Sequence, residues 1–271
     1  MYMSTRKNRW IRMVGLALAA VLCLGGCAKG GDDTDTTTTE DTESQTEAAT
    51  EQMVDTRPMI ALTFDDGPHN VRTQLIVDEL NKYGYHATFF VVGNRVDGTE
   101  YNGGAGLQYA ADAGNEIGIH GYTHDKYYDT CTDAEYAEEL SKTAAAIQAK
   151  ISGCEIKVMR PVGGRITDER AAACPYSVIM WDIDSEDWRY KYKSGDSDEV
   201  AAEKVDTIVE NVMSQVHEGG IILMHDIYES TYDAAVIILQ RLNAMGYRVV
   251  TVSELLGASM QPGQTYSHAG S

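Results

Sequence analysis

Five separated stretches of the chain carry residues able to do chemistry together: Thr63-Phe64-Asp65-Asp66-Gly67-Pro68, His120-Gly121-Tyr122-Thr123-His124, Arg160-Pro161-Val162-Gly163-Gly164, Asp184-Ser185-Glu186-Asp187-Trp188 and Leu223-Met224-His225. They supply two adjacent carboxylates, two histidines four residues apart, an arginine followed by glycines, a carboxylate-tryptophan pair and a third histidine. Ligands, base, acid and oxyanion donors are all in that inventory, which suits a metal-assisted hydrolase. Each stretch follows an apolar run, so each is expected at the C-terminal end of a strand.

Taken singly, each motif has a plainer explanation. Asp-Asp-Gly-Pro is favoured turn chemistry. Two histidines in a Gly-Tyr-Thr loop can be surface residues, Arg160 can pair with a surface acid, and a histidine after a strand is more often a satisfied residue than a catalyst. Together they read differently. Adjacent residues on extended backbone point in opposite directions, so one of Asp65 and Asp66 can hold a metal while the other acts as base. Two imidazoles plus one carboxylate suit a divalent ion, zinc first with cobalt or nickel possible, and leave a position open for water. His69, His86, His217 and His268 lack such companions and are assigned no role.

The order and wording of the five stretches resemble the polysaccharide deacetylase family, carbohydrate-esterase family four, from about Pro58 to about Leu256. The resemblance implies a distorted (β/α) barrel. It implies that Asp65 is the base, held by Arg160, and that Asp66, His120 and His124 are the metal ligands. The Gly163 N–H would face the oxyanion, Asp187 would orient and charge His225 as the acid, and Trp188 would wall the site. Leu223 is a candidate lining for an acetyl methyl pocket. The chain departs from the family pattern at Gly121, where Ser or Thr is usual, and at Val162 and Gly163, where Arg-Pro-Pro-Tyr-Gly is usual. The first departure removes a hydroxyl that could brace the histidine loop, leaving Thr123 as a candidate support; the last removes an aromatic wall.

Positioning these residues requires a repeating frame. Apolar runs at Met59-Phe64, Ala87-Val92, Glu116-Ile119, Ile156-Met159, Val178-Asp182, Gly220-Met224 and Arg248-Val252 read as strands. Helical spacing covers Asn70-Tyr83, Asp133-Ile151, Asp198-His217 and Tyr232-Met245. In the second of these, Tyr136, Leu140, Ile147 and Ile151 form a core stripe behind a Thr132/Glu135 capping box. Two helices close on Gly84 and Gly246 before the next strand. Alternation of this kind predicts an α/β fold with about seven parallel strands, a distorted (β/α) barrel carrying its site on the strand C-terminal rim.

Around that domain the composition changes. Residues 1–27 read as an export signal: Arg6, Lys7, Arg9 and Arg12, an apolar run from Met13 to Leu24 too short to span a bilayer, then Leu24-Gly25-Gly26-Cys27. That ending resembles a bacterial lipoprotein cleavage box, which makes Cys27 the expected lipid anchor. Residues 28–57, rich in Thr, Asp and Glu, read as a solvated tether; residues 58–256 read as the catalytic domain and 257–271 as an irregular tail. The net charge of −19 divides as +4, −7 and −16 over the signal, the tether and the rest, a balance that excludes nucleic acid as the easy partner. Cys131, Cys154 and Cys174 are the exported cysteines, and a Cys154–Cys174 disulfide stays open from sequence. The expected activity is metal-dependent deacetylation of an N-acetylated cell-envelope glycan, outside the cell membrane and with no protein partner. An O-acetyl esterase of xylan and a non-catalytic glycan-binding lipoprotein are the alternatives.

Overall fold

The computed structural model describes residues 55–98 and 104–270. The chain runs β1 (Met59–Asp65), α1 (Arg72–Asn81), β2 (Thr88–Val91), α2 (Gly93–Asp97), α3 (Gly104–Asp112), β3 (Glu116–Ile119) and α4 (Asp133–Lys150). It continues through β4 (Val158–Met159), α5 (Asp168–Ala172), β5 (Ser177–Ile179), β6 (Ile183–Asp184), α6 (Asp198–Met213), β7 (Ile221–His225), α7 (Glu229–Ala244), β8 (Arg248–Val250), α8 (Val252–Leu256) and β9 (Thr265–Tyr266). The strands form one sheet in the order β6-β7-β1-β2-β3-β4-β5-β9, with β8 on β1, and every pairing between these strands is parallel. It is a curled half-barrel with helices packed outside.

The period of two along each strand decides what faces the barrel interior. In β1, Ile60, Leu62 and Phe64 join the apolar cluster shared with the helices, whereas Ala61 belongs to a second, inner cluster with Phe90, Ile179 and Ile221. Thr63 and Asp65 therefore share the inner face with Ala61. In β7 the outer pair is Ile222 and Met224, so Leu223 and His225 fall inward. Register then brings the sites level: Thr63 lies opposite Leu223, and Asp65 opposite His225. On α4 the capping box forms, with Glu135 N donating to Thr132 Oγ1 and Thr132 N to Glu135 Oε2. Leu140 and Ile147 are buried, and Tyr136 and Ile151 pack against the same core.

Among the described residues nine strands stand where seven were expected, and the difference lies in pieces too short to show a period. Ile183–Asp184 and Thr265–Tyr266 are two residues each. The second corrects the expectation of an irregular tail: β9 pairs with β5, and its buried Tyr266 donates to Ser259 O and accepts from Gln261 N. Cys131, Cys154 and Cys174 are all free thiols. Among the described residues no helix is long and apolar enough to cross a membrane. The expected signal and Cys27, and all but the last three residues of the tether, lie outside the described residues.

Candidate active site

Three of the described non-glycine residues have positive φ, namely Asp66 (70°), His124 (64°) and Glu186 (52°), and all belong to the motif stretches. Side chains with a Cβ avoid that region unless surrounding structure holds them there, so at these three points the surroundings fix the turn. At Asp66 it corrects the expectation that the two aspartates point apart. Strand geometry ends at Asp65, the left-handed turn at Asp66 brings its carboxylate back, and both face His120: its Nε2 is 3.6 Å from Asp65 Oδ2 and 3.5 Å from Asp66 Oδ1.

Asp66, His120 and His124 each offer one ligand atom, and these atoms lie within 4.8 Å of one another. His120 Nδ1 is 2.9 Å from Arg160 O. A carbonyl can only accept, so Nδ1 carries the proton and Nε2 presents its lone pair toward the two aspartates. Burial holds the His120 ring below its usual pKa, in the neutral form a metal needs. Burial pushes Asp66 upward, but the close approach of the His124, His120 and His225 imidazoles outweighs it and holds the carboxylate well below its usual range. Asp66 Oδ1 is buried and 2.8 Å from His124 Nε2, yet no donor is aligned on it as a hydrogen bond. A buried anionic oxygen without an aligned donor, facing two ring nitrogens, fits a divalent cation.

The loop that holds both histidines is fixed from two sides. The first N–H groups of α2, Gly93 and Asn94, donate to Gly121 O and Tyr122 O at 2.9 and 3.0 Å. From α4, the buried carboxylate of Glu139 accepts from Tyr122 N (2.6 Å) and Thr123 N (3.0 Å) through Oε2, and from Thr123 Oγ1 (2.8 Å) through Oε1. Gly121 has φ +80°, and a Cβ there would stand 2.9 Å from the Tyr128 hydroxyl and 3.1 Å from Glu139 Oε2. The space where a serine or threonine side chain would begin is thus bounded by these two groups, and Glu139 supplies the bracing with Thr123.

Arg160 is wholly buried, and every arm of its guanidinium is used. Nη1 donates to Asp65 Oδ1 (2.8 Å) and Thr63 Oγ1 (2.7 Å), Nε to Ile179 O (3.0 Å), and Nη2 to Met180 O (2.9 Å). The cation stacks on Phe90, with Cζ 4.4 Å from the ring centroid. A buried charge so bonded is rigid, and it fixes the orientation of Asp65. The loop after it turns by Gly164 N donating to Pro161 O and Arg165 N to Val162 O, a turn that does not use the Gly163 N–H.

On the other flank Asp187 is fully buried and accepts three hydrogen bonds. Its Oδ1 is 2.7 Å from His225 Nδ1, and its Oδ2 accepts from His225 N (2.7 Å) and Thr231 Oγ1 (2.6 Å). Burial works against a charged His225, but Asp187 beside it, with Asp66 and Asp65 beyond, lifts the imidazole to about 9. Leu223 lies buried two residues before His225 on the same strand face. Trp188 stands at the rim, 46% exposed, with Arg189 Cζ 4.8 Å from its ring centroid. Asp182 and Asp184 serve backbone, accepting from Ile221 N and Glu186 N.

Sequence reasoning missed Glu139, Thr63 and Thr231, which act by holding others. It also missed Asp226, fully buried and bonded by Thr73 Oγ1, whose carboxyl is pushed up to about 7 by burial and by the charge of Asp66. Tyr228 was missed as well, its ring centroid 6.0 Å from that of His225. For Asp226 the signal was present in the His225-Asp226 dipeptide at the end of a buried strand; for Glu139 nothing in a regular helix marked it out.

Comparison with known proteins gives a consistent picture. A family model described as polysaccharide deacetylase matches residues 52–178. A peptidoglycan-N-acetylmuramic acid deacetylase of Bacillus subtilis, PdaC, is 39% identical over 206 residues, covering 76% of this chain and 40% of that protein. The chain thus spans about two fifths of that relative's length. A peptidoglycan-N-acetylglucosamine deacetylase of Bacillus cereus is 32% identical over 206 residues, covering 73% of this chain and 88% of that one. The solved structure of the B. subtilis PdaC aligns with TM-score 0.65 at 37% identity, over 74% of this chain and 90% of that one.

Proposed function

The chain belongs to the polysaccharide deacetylase family, and from that premise we propose that it hydrolyses the acetamide of an N-acetylated cell-envelope polysaccharide, releasing acetate and a free amine. The observation that carries the proposal is an oriented carboxylate, Asp65 on Arg160, and a raised imidazole, His225 on Asp187, flanking one set of three ligand atoms. The peptidoglycan deacetylases among its relatives support the substrate class, and so does an acidic chain that would repel nucleic acid and anionic surfaces.

In this proposal Asp66, His120 and His124 would hold a divalent ion, zinc by the donor set, with cobalt or nickel as substitutes. When bound, the ion would supply Lewis acidity and lower the pKa of the attacking water. Asp65, fixed by Arg160, takes the proton as water attacks the carbonyl carbon. The Gly163 N–H donates to the oxygen on which negative charge develops. His225 gives its Nε2 proton to the nitrogen as the C–N bond breaks, a step amides need because the amine leaves poorly as an anion. Leu223 lines the place of the acetyl methyl, and Trp188 walls the sugar side.

The remaining assignments rest on sequence: a signal over residues 1–27, lipidation at Cys27, a tether to residue 57 and the catalytic domain from residue 58, which together would hold the enzyme outside a bacterial cell membrane within reach of the wall. Incubating the metal-loaded full chain with peptidoglycan, chitin oligomers and acetylxylan, and measuring acetate from each, tests the substrate class. The N-acetylated polymers should yield acetate; release from acetylxylan alone would instead assign an O-acetyl esterase, and none from any polymer a binding protein.

A further inference from the structure

Tyr127 follows the histidine loop and is 43% exposed, a large aromatic residue standing at the surface. Its position is nevertheless fixed. One edge lies over the Arg160–Gly164 loop, where a Cβ on Gly163 would stand 3.5 Å from Tyr127 Cε1. Arg165 stacks on it, with Cζ 4.2 Å from the ring centroid, and is tied in turn by Nε to Asp129 Oδ2 at 2.9 Å. That ion pair is about half exposed on the arginine side and adds little to folding, so what it holds in place is the ring. The same loop meets a second aromatic: a Cβ on Gly164 would stand 3.0 Å from the indole of Trp181.

The sheet order gives this placement a meaning. Tyr127 comes from the segment after β3 and Gly163 from the loop after β4, on one side of the Asp65-Asp66 turn after β1. Trp188, in the turn that follows β6, and His225, at the end of β7, lie on its other side. A polymer laid across the site between Trp188 and Gly163 would meet an aromatic ring on each flank. Gly163 itself carries no side chain, and the aromatic wall that the family places there by sequence is absent from that residue. We propose that Tyr127 supplies it from the neighbouring segment, as a stacking surface for a pyranose ring of the N-acetylated glycan adjoining the sugar that is deacetylated. The proposal rests on the functional reading above. A pyranose presents a face of C–H groups with partial positive charge, and an aromatic face is electron-rich. A ring already held by Arg165 binds it with little further loss of side-chain freedom.

The test compares wild-type full chain with Tyr127→Ala and Tyr127→Phe on chitin oligomers of increasing length and on a small activated acetyl ester. Tyr127→Ala should raise KM for the longer oligomers by up to about tenfold, the worth of one aromatic contact, with kcat close to wild type, and flatten the rise of kcat/KM with length. Tyr127→Phe, which keeps the ring, should follow wild type. Wild-type behaviour of Tyr127→Ala at every length overturns the assignment, as does an equal loss of kcat on oligomers and ester, which marks a damaged site rather than a lost contact. A wild type that cleaves the ester but releases no acetate from any oligomer overturns the functional reading, and the stacking role with it.

Discussion

Both oxygens of Asp187 are committed to His225 and its surroundings, one to the ring and one to the His225 backbone N–H and Thr231, so this carboxylate sets both the orientation and the charge of the imidazole. Replacing it by Asn leaves burial, which depresses the imidazole, and removes the charge that raises it. An acid catalyst works while protonated, so activity on amides should fall as pH rises through the His225 pKa. The charge of Asp66 contributes to the rise of that pKa to about 9, so a cation held on Asp66 would lower the value. Asp187→Asn should move that alkaline limb of kcat/KM further toward acid pH, as a pH–rate profile will report. The same linkage acts on folding: the His225 contribution is full below the ordinary 6.5 and is lost as pH rises through about 9. His225→Ala should cost amides more than an activated ester, whose leaving group needs no proton; equal losses would remove His225 from the acid's role. Asp65→Asn should retain metal and lose turnover by about a hundredfold or more, the usual scale of general-base catalysis.

At the scale of elements, the histidine loop depends on α4 as much as on β3. Glu139 is a buried carboxylate satisfied by three donors of that loop, so Glu139→Ala strands two backbone N–H groups and frees His124 from its left-handed turn. Metal affinity should weaken by roughly 10–100-fold, the range for lost support behind a ligand, measured by competition with a chromophoric chelator; unchanged affinity would leave Glu139 only a folding role. What was legible in sequence follows the same division. Long periodic elements such as β1, β7 and α4 were readable because burial repeats along them, and the convergence of the five stretches was readable because each follows an apolar run. Glu139 was hidden because a helix interior gives no reason to single out one glutamate among Glu135, Glu138 and Glu139. The strands β6 and β9 were hidden because two residues define no alternation, and the return of Asp66 toward His120 because strand alternation fails where φ becomes positive.

For the whole molecule, the proposed anchor and the proposed chemistry are separable. Cys27→Ser should release the protein from the membrane fraction or leave its signal uncut, while acetate release by the same chain in detergent-free extract stays at the wild-type level; a wild type recovered in the cytoplasm with its first methionine intact would contradict the anchor. With a net charge of −19 the chain gains nothing from anionic surfaces, so activity on a neutral chitin oligomer should depend only weakly on salt. The central claim is that Asp66, His120 and His124 hold a cation without which Asp65 and His225 cannot hydrolyse an N-acetyl group. Acetate release from an N-acetylated glycan by the full chain, measured as purified, after chelation and after return of a divalent ion, tests it directly. Activity should vanish on chelation and return with zinc, cobalt or nickel; undiminished acetate release by protein verified to be metal-free would contradict it.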